Sequence, residues 1–339
     1  MKKILVDLYH LPQYNFFKNA ILSFHPSEID IYCVNRGKLL QVIQYELPGY
    51  NILSIGDYKH NKGMFSMVFK IILPRIFRLL KEITADRYKF IVTAHYQANV
   101  VAKLRGIPNV AFIDDPRKFV FPLLKFSADE VFLPPFETHF KGVSHFNALK
   151  EWSYLSPQYL VPDRSALSRY NLEPKNYIFI REVSTETSNY LLQEEGIILS
   201  IAKRFPESWK VVLSVEKKSN ATRYPDNWII LKEPVIGIHS LMYFSKAVIS
   251  SGDSVAREGA MLGVPSIYAG IREMPANQIM IKKGMLLKLA PEHILGTVSK
   301  IINNELVFPP QDEFRQSLLD EWDNVTALVL DKLAENKTA

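Results

Sequence analysis

The stretch "SSGDSVAREGAMLGVPSIY", Ser250 to Tyr268, follows the apolar run "KAVIS" directly, and its reading governs the rest of the chain. Two serines, a glycine and an aspartate are more than a turn requires. A strand that ends in small residues and opens a helix turns backbone N–H groups outward, where they can hold an anion. Ser251, Gly252, Asp253 and Ser254 can aim N–H groups and hydroxyls at a phosphate. Glu258 falls one turn into the helix, where its carboxylate can accept the hydroxyls of a ribose. The same residues also read as a plain capped helix, with Asp253 or Ser254 as N-cap and Glu258 favoured by the helix dipole.

Outward from this stretch, short apolar runs alternate with helical patterns. "KILVDLY", "IDIYCV", "YNILSI", "KFIVTA", "NVAFIDD" and "EVFLPP" are strand candidates in the first half. "YIFIRE", "WKVVLSV", "NWIILKE", "KAVISS", "VPSIYAG" and "GMLLKL" are those of the second. All are apolar on both faces, as parallel strands covered by helices should be. Helical patterns occupy Phe16–Ser23, Met64–Ile83 and Gln97–Leu104, and one long final helix is expected around Glu313–Glu335. The alternation predicts an α/β chain of two Rossmann-like, doubly wound parallel-sheet domains facing a cleft. The proline-bearing segment from Glu151 to Asn176 reads as a linker. Domains are expected over 1–163 and 164–310, with 311–339 a terminal helix that can cross back to the first domain.

Bulk properties narrow the function classes. The 339 residues suit two domains of ~150 each. With 47% hydrophobic and 22% charged residues, the chain is of ordinary globular composition. A net charge of +6 does not indicate nucleic acid, but it suits an anionic ligand or a membrane surface. Cys33 is the only cysteine, so an intrachain disulfide and a Cys-rich zinc site are excluded. Asp7 and His10 interrupt what would otherwise resemble a signal peptide. No window is apolar enough for a membrane span, and the expected location is the cytoplasm.

Ligands of open α/β sheets bind beyond the carboxyl ends of strands, so the other strand-end loops matter. "IREVSTETSN" offers Arg181, Ser184 and Thr185, and an arginine gives bidentate contacts to phosphate oxygens. "YHLPQYNFF" offers His10, with Gln13 and Asn15 as partners for sugar hydroxyls. "TAHYQAN" and "FIDDPRK" offer His95, Asp114 and Asp115, the acids serving as a base or as orienting partners of a histidine. No metal-ligand spacing joins them. His239, in "GIHSLMYFS", can stack or hydrogen-bond near a base or sugar, or simply begin a helix. Finally, 59–82 interleaves Lys59, Lys62, Lys70, Arg75, Arg78 and Lys81 with large apolar residues. That composition fits a sheet-covering helix with a cationic outer face and peripheral contact with the inner face of the membrane.

The Ser250–Tyr268 stretch resembles the nucleotide-sugar motif of the GT-B superfamily, as in UDP-N-acetylglucosamine 2-epimerases and related glycosyltransferases. Counted back from Leu262-Gly263, Glu258 matches their ribose-holding glutamate, and Ser251 and Gly252 match their phosphate loop. The loop is one residue longer here, and Asp253 stands near the second glycine of that motif, so it must point away from a diphosphate. "VDLYHLPQYNFFKNAI", "GIPNVAFIDDP", "WSYLSPQYLVPD", "YIFIREVSTETS" and the segment from Ile238 to Ile267 together resemble domain-of-unknown-function family 354, which is GT-B-like.

The resemblance implies a glycosyltransferase that moves a sugar from a nucleotide-diphosphate donor, a UDP-sugar foremost, to a glycan or lipid-linked acceptor. No cofactor and no metal is expected. His10 stands where inverting members place a general base, and Arg181 where the epimerases bind the diphosphate. The epimerases' histidine before that arginine is replaced by Ile180. The second glutamate of many retaining enzymes is replaced by Ser266, which tilts the expectation towards inversion. A 2-epimerase and a non-catalytic nucleotide-sugar-binding protein are the rival readings.

Overall fold

The structure, a computed structural model, describes residues 2–57, 68–114, 116, 120–185, 193–232, 235 and 237–335. Asp115, Lys59 and Lys62 lie outside the described residues. The chain divides into two compact units, Met1–Tyr154 with Trp322–Ala339, and Leu155–Glu321.

Unit 1 runs β1 (Lys3–Leu8), α1 (Leu11–Leu22), β2 (Ile29–Asn35), α2 (Leu39–Glu46) and β3 (Asn51–Asp57). A π-helical turn over Val68–Ile72 then enters α3 (Leu73–Glu82), followed by β4 (Tyr88–Thr93), α4 (Tyr96–Leu104) and β5 (Asn109–Phe112). The remaining elements before the crossing into unit 2 are α5 (Phe121–Ser127), β6 (Glu130–Leu133), β7 (Ser144–His145) and α6 (Trp152–Leu155). Its seven strands are ordered β3-β2-β1-β4-β5-β6-β7, every pair parallel.

Unit 2 runs α7 (Ser165–Ser168), β8 (Ile178–Glu182), α8 (Leu199–Ala202), β9 (Val211–Val215), β10 (Ile229–Ile230) and α9 (Ile238–Tyr243). After these come β11 (Ala247–Ser250), α10 (Asp253–Met261), β12 (Ser266–Tyr268), α11 (Pro275–Lys282), β13 (Leu286–Lys288), α12 (Pro291–Ile302) and α13 (Gln311–Glu321). The six strands are ordered β10-β9-β8-β11-β12-β13, again all parallel. The last element, α14 (Val325–Glu335), belongs to unit 1.

Parallel strands bury both faces, which is why these runs are apolar throughout. Val211–Val215 is buried at every position, as is Ala247–Ser250. In unit 2 the strand side chains Ile178, Ile180, Leu213 and Ile249 pack with Ile201, Phe205, Val298 and Trp228 into one core. In unit 1, Leu79 of α3, Ile83 just after it, and Val101 and Ala102 of α4 pack on Leu5, Tyr32 and Ile91.

Three expectations need correction. The final helix is two helices, broken at 322–324. Trp322 turns inward to meet Trp152 edge-on at 5.5 Å, and Asp323 accepts the N–H of Asn147 at 2.6 Å. The Asn324 side chain then accepts the N–H of Ala327, starting the next helix as its cap. The segment after Glu151 does not begin as a solvated linker, since residues 151–156 are all buried. Thr326 donates to the Ser153 carbonyl there at 2.8 Å. And Arg75 is no surface cation. It is 2% exposed and forks onto both oxygens of Asp7, at 2.5 and 3.2 Å, with further bonds to the Ile55 carbonyl and to Gln97. The cationic outer face expected for 59–82 therefore loses one of its charges.

Candidate functional site

Each sheet reverses its winding once, between β1 and β4 in unit 1 and between β8 and β11 in unit 2. At such a point two neighbouring strands send their chains to opposite faces, which opens a crevice at their carboxyl ends. The loops carrying Arg181–Thr185 and Ser251–Ser254 flank the unit 2 crevice. Those carrying His10 and His95 flank that of unit 1.

In unit 2 the two loops are tied together. Ser251 Oγ accepts the Val183 N–H at 2.9 Å, and Gln193 donates to the Ser251 carbonyl at 3.0 Å. The Ser250 hydroxyl accepts the Gly252 N–H at 3.0 Å and donates to the Gly252 carbonyl at 2.7 Å. Ser251 and Gly252 are buried, and these polar atoms are committed inside the turn, so they brace the loop. What the brace presents is the start of α10, whose N-cap residue, Gly252, has no side chain to cap it. The first N–H groups of a helix have no acceptor within it. Ser254, half-buried, stands in that turn.

The acid that looked misplaced beside a phosphate faces inward. Asp253 is 2% exposed, with Arg257 Nη1 at 3.5 Å and Arg272 Nη1 at 3.6 Å. Its charge is thus met by two guanidinium groups from below. Two glycines fix the helix that follows. A Cβ on Gly259 would meet Ser266 Oγ at 2.6 Å and Val248 Cβ at 2.8 Å, so only glycine lets α10 lie this close to β11 and β12. Gly263, at φ +70°, ends the helix in left-handed conformation, with its own N–H on Ala260 and that of Val264 on Gly259.

Arg181 donates to Ser214 Oγ at 2.7 Å, with Glu216 at 3.9 Å, so its guanidinium is held at the end of β8 with 17% of the side chain exposed. Glu216 also accepts the Ser184 N–H at 2.9 Å, drawing Ser184 into the fold, while Thr185 is half-buried. Next to Arg181, burial pushes the Glu182 carboxyl above its ordinary range, against the pull of its donors Ser251, Leu199, Tyr224 and Ile198. It locks the loop to α8 through the N–H groups of Ile198 and Leu199. The structure also brings two candidates together: His239 Nε2 stands 3.6 Å from Glu258 Oε2, both side chains partly exposed.

In unit 1 the two loops are joined differently. Gln13 accepts the Tyr9 N–H and donates to the Ala94 carbonyl, both at 2.7 Å, so its amide is spent on the scaffold rather than open to a sugar. The Tyr9 ring stacks on His95 at 4.4 Å, and Tyr96 covers it at 4.5 Å, which makes His95 part of an aromatic pile. Asp114 is held in an ion pair by Lys150, near enough for its charge to act on His10. A small pocket opens here, floored by Phe16, Phe112 and Phe146 and edged by Gln13, Asp114 and Lys150. Beside it, His10 stands at the N-cap position of α1 with extended backbone and no side-chain capping bond. Among the described residues its buried Nδ1 has no hydrogen-bond partner. Burial and the Lys150 ammonium push this imidazole down to about 4, so it is neutral near pH 7.

Sequence reading missed Lys150, Gln193 and Glu216. Lys150 had no signal, being 36 residues from the acid it meets. Gln193 and Glu216 sit at loop positions where only the strand order makes them neighbours of the crevice. Among the described residues no group of three or more His, Cys, Asp and Glu side chains could hold a metal ion.

With this geometry in hand, comparisons with known proteins place the fold. The UDP-GlcNAc 2-epimerase of Neisseria meningitidis, solved with UDP-GlcNAc, superposes with a TM-score of 0.61 at 12% identity, covering 98% of this chain and 100% of that one. The glycosyltransferase VinC, solved with dTDP, gives 0.62 at 11% identity over 99% and 100%. MurG of Acinetobacter baumannii gives 0.56 at 15% identity over 98% and 99%. These likenesses show the fold, two Rossmann-like parallel-sheet units of the GT-B kind. No curated protein matches by sequence. The family model described as "Protein of unknown function (DUF354)" matches residues 2–338, and the chain belongs to that family.

Proposed function

We propose that the chain is a glycosyltransferase that takes its sugar from a nucleoside diphosphate donor held by unit 2. The observation that carries this reading is the crevice between β8 and β11. There the start of α10, with glycine at its N-cap, and the Arg181 guanidinium stand on two loops joined by the Val183–Ser251 hydrogen bond. Helix N–H groups and a fixed guanidinium are what a diphosphate needs, and they stabilise the negative charge that grows on it as it leaves. The inward turn of Asp253 removes one charge that would oppose it, while Glu216 stays 3.9 Å from Arg181. Glu258, braced by His239, supplies an acceptor for ribose hydroxyls. A UDP-sugar is the first donor to try.

In this reading unit 1 receives a glycan or lipid-linked acceptor. Its hydroxyl oxygen attacks the anomeric carbon, the bond to the diphosphate breaks, and the electron pair leaves with the diphosphate. The hydroxyl proton passes to His10, whose neutral imidazole offers an unpartnered Nδ1. Direct attack of this kind inverts the anomeric centre and needs no metal, the role of counter-charge falling to Arg181 and α10.

A 2-epimerase shares the donor site but requires acid and base groups around the sugar, and Ile180 stands where the epimerases carry a histidine. Calorimetric titration with UDP, GDP, CDP and dTDP is expected to find one saturable binder. Incubation with the matching nucleotide-sugars then separates the readings: sugar on an added acceptor supports transfer, and an epimeric nucleotide-sugar overturns it. If none of the four nucleotides binds, the donor site itself is wrong.

A further inference from the structure

Large apolar side chains left exposed are unevenly distributed. Of ten such residues among those described, seven belong to unit 1, and five of these stand on one layer of neighbouring helices. The layer is α3 with its π-helical turn, α4 packed beside it, and α5 beside α4. Phe69 and Phe77 project from the first, Leu104 from the second, and Leu123 and Phe126 from the third, at 64, 62, 68, 43 and 74% exposure. On the inner side, Leu79, Val101 and Leu124 from the same helices are buried against the sheet. The outer residues therefore contribute nothing to the core, and a soluble monomer leaves few such patches without a partner.

The charges on this layer identify the partner. Four of the five apolar side chains have an exposed cation next to them in sequence: Lys70 beside Phe69, Arg78 beside Phe77, Lys103 and Arg105 beside Leu104, Lys125 beside Phe126. Lys81, also exposed, adds a sixth. The three helices and the π-helical turn carry a single acid, Glu82, which lies 3.7 Å from Arg87. Near the other cations stands Asp129, 3.7 Å from Lys103. Apolar side chains with cations at their flanks match a lipid interface, where the former enter the acyl boundary and the latter meet headgroup phosphates.

We propose that the outer face of α3, α4 and α5 docks on an anionic lipid surface. This goes beyond the donor-site reading and does not depend on it, since no residue of unit 2 takes part. It also relocates the membrane contact expected for 59–82. Arg75 is withdrawn into the core, and Lys103, Arg105 and Lys125 of the neighbouring helices take up the charge.

The test is co-sedimentation of the full chain with vesicles of phosphatidylcholine alone and of phosphatidylcholine with an equal part of phosphatidylglycerol, at low and high salt. Binding is expected to the anionic vesicles only and to weaken with salt. The triple variant Lys81→Gln, Lys103→Gln, Lys125→Gln is expected to lose about fivefold per charge, about a hundredfold together. The double variant Phe77→Ser, Phe126→Ser removes the apolar part separately, and both variants change only exposed side chains. Equal recovery from neutral and anionic vesicles, recovery from neither, or wild-type binding by both variants overturns the proposal. So does sedimentation velocity showing a vesicle-free dimer that the phenylalanine variant dissolves, because the face would then join two copies of this chain. Nucleotide titration of both variants is expected to match wild type, so failure here and failure of the donor-site reading remain distinguishable.

Discussion

The two switch points share strand order and loop positions, yet they are finished with different chemistry. In unit 2 the loops are tied by hydroxyls and amides, Ser250, Ser251 and Gln193, which consume their own polar atoms and leave a helix start and Arg181 in place. In unit 1 they are tied by one amide, Gln13, and by rings, Tyr9 on His95, with His10 Nδ1 buried and unpartnered. The first arrangement is preorganised for negative charge. The second keeps an imidazole neutral. One strand order can thus carry two kinds of loop chemistry, because its switch point fixes only where the loops emerge.

The difference can be broken most severely underneath unit 1. Arg75 is the charge on which its switch region rests, bonded to Asp7 of β1 and to Gln97 of α4, with the Tyr9 ring 5.7 Å away. Arg75→Leu leaves Asp7 buried without its counter-charge and is expected to cost about 3–5 kcal/mol, read from the urea midpoint. A loss below about 1 kcal/mol, within what an exposed ion pair contributes, would show that the network is dispensable.

A smaller effect sharpens the contrast at His10. Its folded value of about 4 lies below the ordinary 6.5, so the unfolded chain takes up the proton first as pH falls. The stability gained by keeping it neutral is complete above about pH 6.5 and is lost progressively down to about 4. The loss is on the order of 3 kcal/mol. His10→Gln is expected to flatten that part of the pH–stability curve. An unchanged slope would mean that the ring is ordinary and hydrated.

The smallest of the three lies in unit 2. Glu258→Ala is expected to weaken nucleotide binding by about 1.5–3 kcal/mol, roughly tenfold to 150-fold, through loss of a charged acceptor. Its effect on melting should stay within the roughly 0.3–1 kcal/mol of a helix-dipole interaction. Weaker folding with unchanged affinity would make Glu258 a structural acid.

Why some of this was legible in the sequence is a matter of range. The strands were, because parallel strands buried on both faces leave unbroken apolar runs such as "KVVLSV". The exception is β7, two residues long, whose pairing to β6 involves a contact of Ser144 with Glu130 that no local pattern announces. The Ser250–Tyr268 stretch was legible because small residues following an apolar run and opening a helix form a local pattern. Arg75 was misread although signals existed. It falls four residues from both Ile71 and Leu79, on the buried stripe of its helix, and Asp7 interrupts an apolar strand. Amphipathic counting treats every cation as a surface group, which fails when an acid waits in the core. The committed hydroxyl of Ser251 and the pairing of Asp114 with Lys150 depend on contacts between distant segments, which residue type alone does not encode.

Hydrogen–deuterium exchange of the whole chain, with and without UDP, GDP, CDP or dTDP in excess, tests the central claim most directly. With at least one of them, the account predicts slowed exchange confined chiefly to Val183–Thr185 and to the first turn of α10 from Asp253. The loops after β1 and β4 should be unaffected by a nucleotide that carries no sugar. Protection at the unit 1 loops instead, or none at the start of α10 under conditions where a nucleotide binds, would contradict it.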